Sequence, residues 1–267
     1  MREYTLMDDR ILLNYDYRKD AQEKIDDVWN IISAGNLSSS LPTLYLLGGQ
    51  PGAGKSQALE RCDLLESKNI LKINGDDYRP FSEIFDYCNK TYGKDAPKYT
   101  AGFAGTMVGL VRDRAIQNNF NVAIEGTFRT TEVPLKELKL FKEKGYNTCV
   151  LICTCPKDVS WNSTLYRAME MEKEGLPPRY VAKDHHDYVV EHLAENVKTV
   201  FDSGLVDHLE IMSREKVLFN SAEQIDYDSQ RIIEVINGEL NRNVNLQHGI
   251  ENSRNLEIHE VGKGRNR

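Results

Sequence analysis

The fold is decided by residues 44–56, which read Leu44-Tyr45-Leu46-Leu47-Gly48-Gly49-Gln50-Pro51-Gly52-Ala53-Gly54-Lys55-Ser56. The apolar run that begins this stretch is typical of a parallel strand buried on both faces. From Gly49 to Ser56 the chain fits the pattern G-x-x-x-x-G-K-[ST] at every position. In this pattern the glycines let backbone N–H groups point at phosphate oxygens, Lys55 brings a positive charge to the β- and γ-phosphates, and the Ser56 hydroxyl binds Mg²⁺. Because the loop follows a strand and precedes a helix that we expect to begin at Lys55, it predicts a nucleotide-binding site.

Further apolar runs follow the loop and predict the other strands of a sheet. They are Ile70–Asn74, Val122–Ile124, Cys149–Cys153 and His208–Met212, with Val217–Phe219 as a hairpin partner of the last. Helical spacing is found between them, over Gly105–Ile116 and Val133–Lys144. This alternation predicts an α/β protein with a P-loop kinase-like three-layer fold and a central, mainly parallel sheet of about five strands.

The two ends of the chain differ from this α/β body. Residues 1–40 are expected to form an N-terminal helical extension, with apolar side chains at helical spacing from Ala21 to Ile32 and a stop at Gly35. Residues 41–237 are expected to form the P-loop kinase-like domain. Residues 238–267 are poor in apolar side chains and are expected to be a peripheral C-terminal extension.

Composition excludes several classes of protein. The 267 residues carry a formal net charge of −7, which argues against non-specific nucleic-acid binding. No run approaches the roughly 18 apolar residues of a membrane span, and the N-terminus has no apolar signal region. The five cysteines lack zinc spacing, and Cys153 and Cys155 are expected to share the buried face of one strand. We therefore expect a cytoplasmic protein with reduced thiols and without a nucleic-acid or membrane partner.

Two acidic residues stand just past predicted strands. Asp76 follows the second strand and Glu125 follows the third, and in open α/β sheets the carboxyl ends of strands face the ligand crevice. A carboxylate there can accept the proton of an attacking hydroxyl, which is worth about 10²–10⁴ in rate. Asp76 is the preferred general base. The alternative is that an acid here caps the next helix, which suits Asp77 better than Asp76.

Arg167 and Arg179 lie in a segment whose pattern is typical of a lid. Phosphoryl transfer needs cationic groups around the phosphates, and a guanidinium is permanently charged. The alternative is that each arginine pairs with a nearby glutamate on a solvated helix. His185 and His186 are adjacent in the chain, so they predict local packing or hydrogen bonding better than a metal site.

Several runs, taken in order, carry a resemblance to a known family. They are L-G-G-Q-P-G-A-G-K-S, I-N-G-D, I-E-G-T-F-R-T-T-E-V-P, Y-R at 166–167 and P-R-Y-V-A-K-D-H-H-D at 178–187. Together these runs resemble the zeta toxins of epsilon/zeta toxin–antitoxin systems, and among them the PezT group. The resemblance implies a kinase that uses ATP or GTP with Mg²⁺ to phosphorylate the amino-sugar 3′-hydroxyl of UDP-N-acetylglucosamine. It also implies a small helical antitoxin of the epsilon type as partner.

The resemblance further implies roles for individual residues. Lys55 and Ser56 match the P-loop pair, and Asp76 matches the catalytic base. Glu125, Thr127 and Arg129 match residues of the acceptor pocket. Arg167 and Arg179 match the arginines that bind phosphate.

Two positions depart from the family pattern in the region that holds the sugar nucleotide. Gly109 stands where the family usually has a glutamate, and Glu137 replaces a common threonine. Either Glu137 substitutes for the missing acid, or the acceptor differs, or Glu137 is an exposed helix residue and Gly109 merely loosens its helix. Two other functions stay open: a small-molecule phosphotransferase of the chloramphenicol phosphotransferase kind, and a nucleotide-dependent binding switch.

Overall fold

The computed structural model describes residues 11–55, 69–223 and 228–243. The helices are α1 (Tyr17–Ile32), α2 (Gly75–Tyr78), α3 (Phe85–Tyr92), α4 (Ala96–Gln117), α5 (Glu132–Glu143), α6 (Lys157–Lys173), α7 (Lys183–Asp202) and α8 (Gln230–Leu240). The strands are β1 (Thr43–Gly48), β2 (Leu71–Ile73), β3 (Val122–Glu125), β4 (Asn147–Cys153), β5 (His208–Met212) and β6 (Val217–Asn220). Short 3₁₀ turns span Arg79–Phe81, Gly93–Asp95 and Ser221–Glu223.

The strands form one six-stranded sheet in the order β2-β3-β1-β4-β5-β6. Strand β1 runs parallel to β4, with Thr43 opposite Asn147, and β4 runs parallel to β5, with Cys149 opposite His208. Strand β6 is antiparallel to β5, so the expected hairpin partner is confirmed and becomes the sixth strand. The predicted α/β class with a mainly parallel sheet is also confirmed.

One compact unit comprises residues 1–40 and 69–122. Its longest helix, α4, buries one face at helical spacing, and α1 packs against it through Ala21, Ile25 and Val28. The helix predicted from Gly105 begins earlier, at Ala96. Pro97 lies in the first turn of α4, where a missing N–H costs nothing, so it does not stop the helix.

The other compact unit comprises residues 41–68 and 123–267. Strand β1 is buried from Leu44 to Gly48 on both faces, as its uniformly apolar sequence predicts for an interior parallel strand. Helix α8 packs against α7 through an apolar face that includes Ile232 and Ile236. It continues through the buried Leu240, past the residue where the C-terminal extension is expected to begin. The division at residues 40/41 and 237/238 stays a prediction.

Two further expectations concern cysteines and membranes. Cys153 ends β4, so Cys155 lies beyond the strand; the expectation that both alternate on one strand is wrong, although both are buried and neither forms a disulfide. Cys62 lies outside the described residues. Within the part of the chain that the structure describes, no helix is both long enough and apolar enough to cross a bilayer.

Candidate active site

The P-loop leaves the carboxyl end of β1, beside the end of β4. Gly49 has a φ of 133° and Gly52 a φ of 78°, both in the region that favours glycine. A Cβ at Gly49 would lie 2.0 Å from the Cys153 carbonyl oxygen, and one at Gly52 would lie 2.1 Å from the Ser160 carbonyl oxygen. The two glycines are therefore required by both dihedral angle and space.

Side chains hold the loop in place from two directions. The fully buried Gln50 donates from Nε2 to the carbonyl oxygen of Cys155 at 2.7 Å. Arg214, which follows β5, donates from Nη2 to the carbonyl oxygen of Gly52 and to Ser163 Oγ, the latter at 2.7 Å. The loop conformation is thus fixed by protein groups, so its backbone N–H groups are pre-organised for an anion.

Lys55 folds back over the loop. Its Nζ donates to the carbonyl oxygens of Gly49 at 3.1 Å and Gln50 at 3.2 Å. Burial lowers the pKa of Lys55, and the charge of Glu125 partly offsets this effect. A phosphate would stabilise the charged ammonium further. Ser56 and the rest of the expected helix lie outside the described residues.

The charges of Glu125 and Arg167 have opposite effects on the pKa of Lys55. Glu125 raises the pKa of Lys55 and Arg167 lowers it, so both charges lie within electrostatic reach of the P-loop lysine. Glu125 is held there because the N–H of Gly126 donates to the carbonyl oxygen of Leu47 at 2.8 Å, which ties the end of β3 to the end of β1. Two of the residues singled out from the sequence therefore interact electrostatically with the P-loop lysine.

The loop after β3 presents Arg129. Asn196 of α7 donates from Nδ2 to the carbonyl oxygens of Phe128 at 2.9 Å and Arg129 at 2.8 Å. Phe128 is buried and has a φ of 54°, a backbone conformation that is rare for a bulky residue. The two hydrogen bonds from Asn196 hold the turn in this conformation. Thr127 lies in the same turn and is partly buried.

His185, in the first turn of α7, belongs to the same cationic environment. Burial lowers the pKa of His185, and the charges of Arg129 and Lys55 lower it further. Burial and the positive charges of Arg129 and Lys55 therefore disfavour the protonated imidazole. The sequence predicted local packing or hydrogen bonding for the His185–His186 pair and did not indicate that His185 interacts with Arg129 and Lys55.

His186 has the local packing role that its neighbourhood predicts. Its Nε2 lies 2.8 Å from Ser160 Oγ, its ring packs edge-on against Trp161, and its side chain is 1% exposed. Asp187 lies 3.2 Å from Nδ1. Among the described residues, no group of three or more His, Cys, Asp or Glu side chains is arranged to hold a metal ion.

Arg179 lies in the irregular segment between α6 and α7. Its neighbour Tyr180 donates to Glu172 of α6, which ties this segment to the helix that carries Arg167. Glu170 accepts from Lys173 at 2.5 Å. The two glutamates thus have partners other than arginine, although the choice between a phosphate role and an ion-pair role for Arg179 stays open.

Asp76 belongs to the unit of residues 1–40 and 69–122 and lies in the four-residue helix α2. Asn74 caps this helix, because its Oδ1 accepts from the Asp76 N–H at 3.1 Å. The alternative that Asp76 or Asp77 is the N-cap is therefore wrong: asparagine is an equally good cap and stands where β2 ends. The Asp76 carboxylate instead accepts from Arg79 Nε at 2.8 Å.

The two departures from the family pattern differ in their surroundings. Glu137 is buried on the inner face of α5, so the alternative that it is an exposed helix residue is wrong. At Gly109, a Cβ would meet nothing within 4 Å, so an added methyl group would fit on α4. Glycine at this position is not imposed by packing.

Three residues that sequence reasoning did not select contribute to these arrangements: Arg214, Asn196 and Arg79. Arg214 follows a strand at its carboxyl end, which is the same signal that selected Asp76 and Glu125. Asn196 lies in a helix with nothing in its spacing to distinguish it. Arg79 is three residues from Asp76, but the helix between them is too short to give a periodic pattern.

A family model described as Zeta toxin matches residues 26–224 of the chain. Toxin PezT of Streptococcus pneumoniae serotype 4 is 33% identical over 211 residues, which are 78% of this chain and 83% of that relative. Toxin zeta of Streptococcus pyogenes is 30% identical over 228 residues, 85% of this chain and 78% of that relative.

Two solved structures have folds similar to that of this chain. A structure from the PezAT chromosomal toxin–antitoxin system of Streptococcus pneumoniae has a TM-score of 0.77 and 26% identity, covering 91% of this chain and 96% of that chain. The AvrRxo1-ORF1:-ORF2 structure with ATP has a TM-score of 0.54 and 14% identity, covering 89% of this chain and 73% of that chain, and shows likeness of fold alone.

Proposed function

We propose, since this chain belongs to the zeta toxin family, that it is a nucleotide-dependent kinase and the toxin of a toxin–antitoxin pair. The proposed acceptor is UDP-N-acetylglucosamine or a related UDP-sugar, phosphorylated on the amino-sugar 3′-hydroxyl. One observation carries the kinase proposal. Lys55 lies over a P-loop fixed by Gln50 and Arg214, within electrostatic reach of Glu125 and Arg167.

The phosphate groups of ATP or GTP fit this arrangement. The loop supplies N–H groups, and Lys55 can exchange its two carbonyl partners for phosphate oxygens because both acceptors belong to the loop itself. Arg167, and Arg179 from the neighbouring segment, are proposed to neutralise charge that develops on the transferring group. Since this chemistry is mostly positioning and electrostatics, a fixed loop and a cationic surround are what it needs.

Mg²⁺ is proposed as the accompanying cation. It takes oxygen ligands and keeps several waters, so the Ser56 hydroxyl and the phosphates are a suitable donor set. When bound, it neutralises charge on the β- and γ-phosphates. The rest of the proposed reaction depends on backbone N–H groups and side chains of the chain itself.

Asp76 is proposed as the general base, with Glu125, Thr127 and Arg129 in the acceptor pocket. Asp76 is the third residue after the end of β2, and ligands of open α/β sheets bind at the carboxyl ends of strands. The acceptor hydroxyl loses its proton to Asp76 as its oxygen bonds to the γ-phosphorus. The bond from that phosphorus to the bridging oxygen breaks, and the nucleoside diphosphate leaves.

The acceptor is the finer part of the proposal. Glu137 places a buried carboxylate on α5, while Gly109 leaves room on α4 where the family has a glutamate. A UDP-sugar other than UDP-N-acetylglucosamine is compatible with these differences. A panel of UDP-sugars, and chloramphenicol as a representative of small-molecule phosphotransferase substrates, distinguishes the acceptors.

Mass spectrometry of that panel after incubation with the protein, ATP and Mg²⁺ tests the proposal. We expect a UDP-sugar heavier by one phosphoryl group with the wild type and with Asp77→Asn, the matched control on the same short helix. Asp76→Asn should lower turnover by about 10² or more and leave nucleotide affinity nearly unchanged. Hydrolysis of ATP without a phosphorylated acceptor would instead support a nucleotide-dependent switch.

An antitoxin partner is proposed from the similarity to toxin–antitoxin proteins. The PezAT structure belongs to a toxin–antitoxin system, and we infer that this chain also pairs with a small helical antitoxin. Expression of the chain should arrest growth, and co-expression of a small helical protein encoded beside it should relieve the arrest. Growth that is unaffected by an expressed, active kinase would contradict the toxin role.

A further inference from the structure

Arg79 connects the Asp76 carboxylate to helix α4. Its Nε donates to Asp76 Oδ1 at 2.8 Å, while its Nη1 donates to the carbonyl oxygen of Pro97 at 2.8 Å and to Thr100 Oγ1 at 2.7 Å. The Arg79 side chain is 20% exposed and Thr100 is buried. One planar guanidinium thus joins a short helix to the first turn of the longest helix in this unit.

The carboxylate that Arg79 holds has little other support on its own element. Helix α2 has four residues, and the Asp76 side chain is 48% exposed. An exposed carboxylate on a short helix samples several rotamers, and ordering it for a reaction costs entropy. A charge-assisted hydrogen bond from a rigid donor to Oδ1 reduces that freedom and directs Oδ2 away from the guanidinium.

We propose that Arg79 is a positioning residue for Asp76, a role that rests on the proposed kinase function. Arg79 fixes Oδ1, and Oδ2 accepts the proton of the acceptor hydroxyl while that oxygen attacks the γ-phosphorus and the nucleoside diphosphate leaves. Thr100 and the Pro97 carbonyl hold the guanidinium in the plane that this geometry needs. Arg79 itself contacts neither the acceptor nor the nucleotide in this role.

The test compares kcat with KM in four variants. Arg79→Ala should lower kcat by about 10–10²-fold, the range expected when a reacting group is misplaced by about 1 Å, with the Kd of ATP changed less than about twofold. Arg79→Lys keeps a positive charge but loses the fork, so its kcat should stay below that of the wild type. Thr100→Val removes one anchor and should give an intermediate kcat. Arg114→Ala is the matched control, because Arg114 is also on α4 and pairs with an aspartate, Asp26, at 2.5 Å.

Added guanidinium ion provides a readout that a purely structural role would not move. It should restore part of the kcat of Arg79→Ala and leave the wild type and Arg114→Ala unchanged. The positioning role is overturned if Arg79→Ala keeps the wild-type kcat while the wild type is active and Asp76→Asn is inactive. The kinase proposal stands in that case. If Arg79→Ala does not fold, a wild-type kcat in both Arg79→Lys and Thr100→Val overturns the role as well. A wild type that phosphorylates no acceptor fails the kinase proposal first, and the positioning role with it.

Discussion

Arg214, in the segment between β5 and β6, donates a hydrogen bond to the carbonyl oxygen of Gly52 and so holds the P-loop in place. The same nitrogen, Nη2, donates to Ser163 Oγ of α6 at 2.7 Å. Burial raises the pKa of the nearby Cys155 thiol, and the Arg214 charge partly offsets that increase. The loop conformation is therefore coupled to the segment after β5 and to α6, the helix that also carries Arg167.

Arg214→Ala should weaken ATP binding. Loss of a charged hydrogen bond costs about 1.5–3 kcal/mol, which corresponds to an increase in Kd of roughly 10–100-fold if the loop must be ordered by the ligand instead. Isothermal titration with a non-hydrolysable ATP analogue measures it. Arg231→Ala is the control, because Arg231 is exposed and pairs with Glu234 at 2.9 Å. Equal affinities for Arg214→Ala and the control would show that Arg214 does not hold the loop.

Gly52→Ala should abolish nucleotide binding, whereas Gly204→Ala should not. Both glycines have positive φ, 78° and 70°, so alanine costs each of them about 1–2 kcal/mol of backbone strain. Only at Gly52 would the added Cβ also collide with a backbone oxygen, that of Ser160 at 2.1 Å; at Gly204 nothing lies within 4 Å. Chemical unfolding and analogue binding are measured on both variants. Normal binding by Gly52→Ala would contradict the described loop geometry.

The stability of the protein should decrease in mild acid partly because of His186. Burial lowers the pKa of His186, and Asp187 opposes that shift. Below the ordinary histidine pKa near 6.5, the unfolded chain therefore binds a proton that the folded chain does not, and stability falls as pH falls toward the lowered value. One such proton changes the free energy of unfolding by at most about 1.4 kcal/mol per pH unit.

His186→Gln should therefore flatten the dependence of unfolding free energy on pH between about 7 and 5. Glutamine can still bond to Ser160 Oγ without titrating. Parallel slopes for the wild type and His186→Gln in urea unfolding series would remove His186 as the cause.

Gly109→Ala should stabilise the protein by about 1 kcal/mol, the difference in helix propensity between the two residues. A Cβ at this position of α4 meets nothing within 4 Å. Gly102→Ala, on the same helix, is the informative comparison, because its Cβ would lie 2.9 Å from Cγ of the Tyr17 ring and the gain should be lost. Thermal unfolding compares the two. Equal changes in stability for Gly109→Ala and Gly102→Ala would mean that the space around α4 does not decide the effect of an added methyl group.

The sequence predicted the parts of this molecule that depend on local pattern. The apolar run before Gly49 and the P-loop glycines gave β1 and its loop, and β5 occupies His208–Met212 as expected. Membership of the zeta toxin family, predicted from the order of the motifs, is confirmed. A rule about strand ends selected Glu125 and family motifs selected Arg167. The charges of both act on the pKa of Lys55, and their roles stay predictions.

The remainder depends on tertiary contacts that local pattern does not contain. The capping role of Asn74 was missed because two acids beside it suggested the same role. The hydrogen bonds of Arg214 and Asn196 join residues more than 50 positions apart in the chain. The burial of Glu137 was missed because a glutamate within a helix is normally solvated.

The most direct measurement is the transfer of radiolabelled γ-phosphate from ATP to purified UDP-N-acetylglucosamine, with Lys55→Ala and Asp76→Asn beside the wild type. We predict label on the amino sugar with the wild type, little or none with either variant, and normal ATP-analogue binding by Asp76→Asn. Label that appears only as inorganic phosphate, for this acceptor and for every other UDP-sugar supplied, would contradict the kinase function.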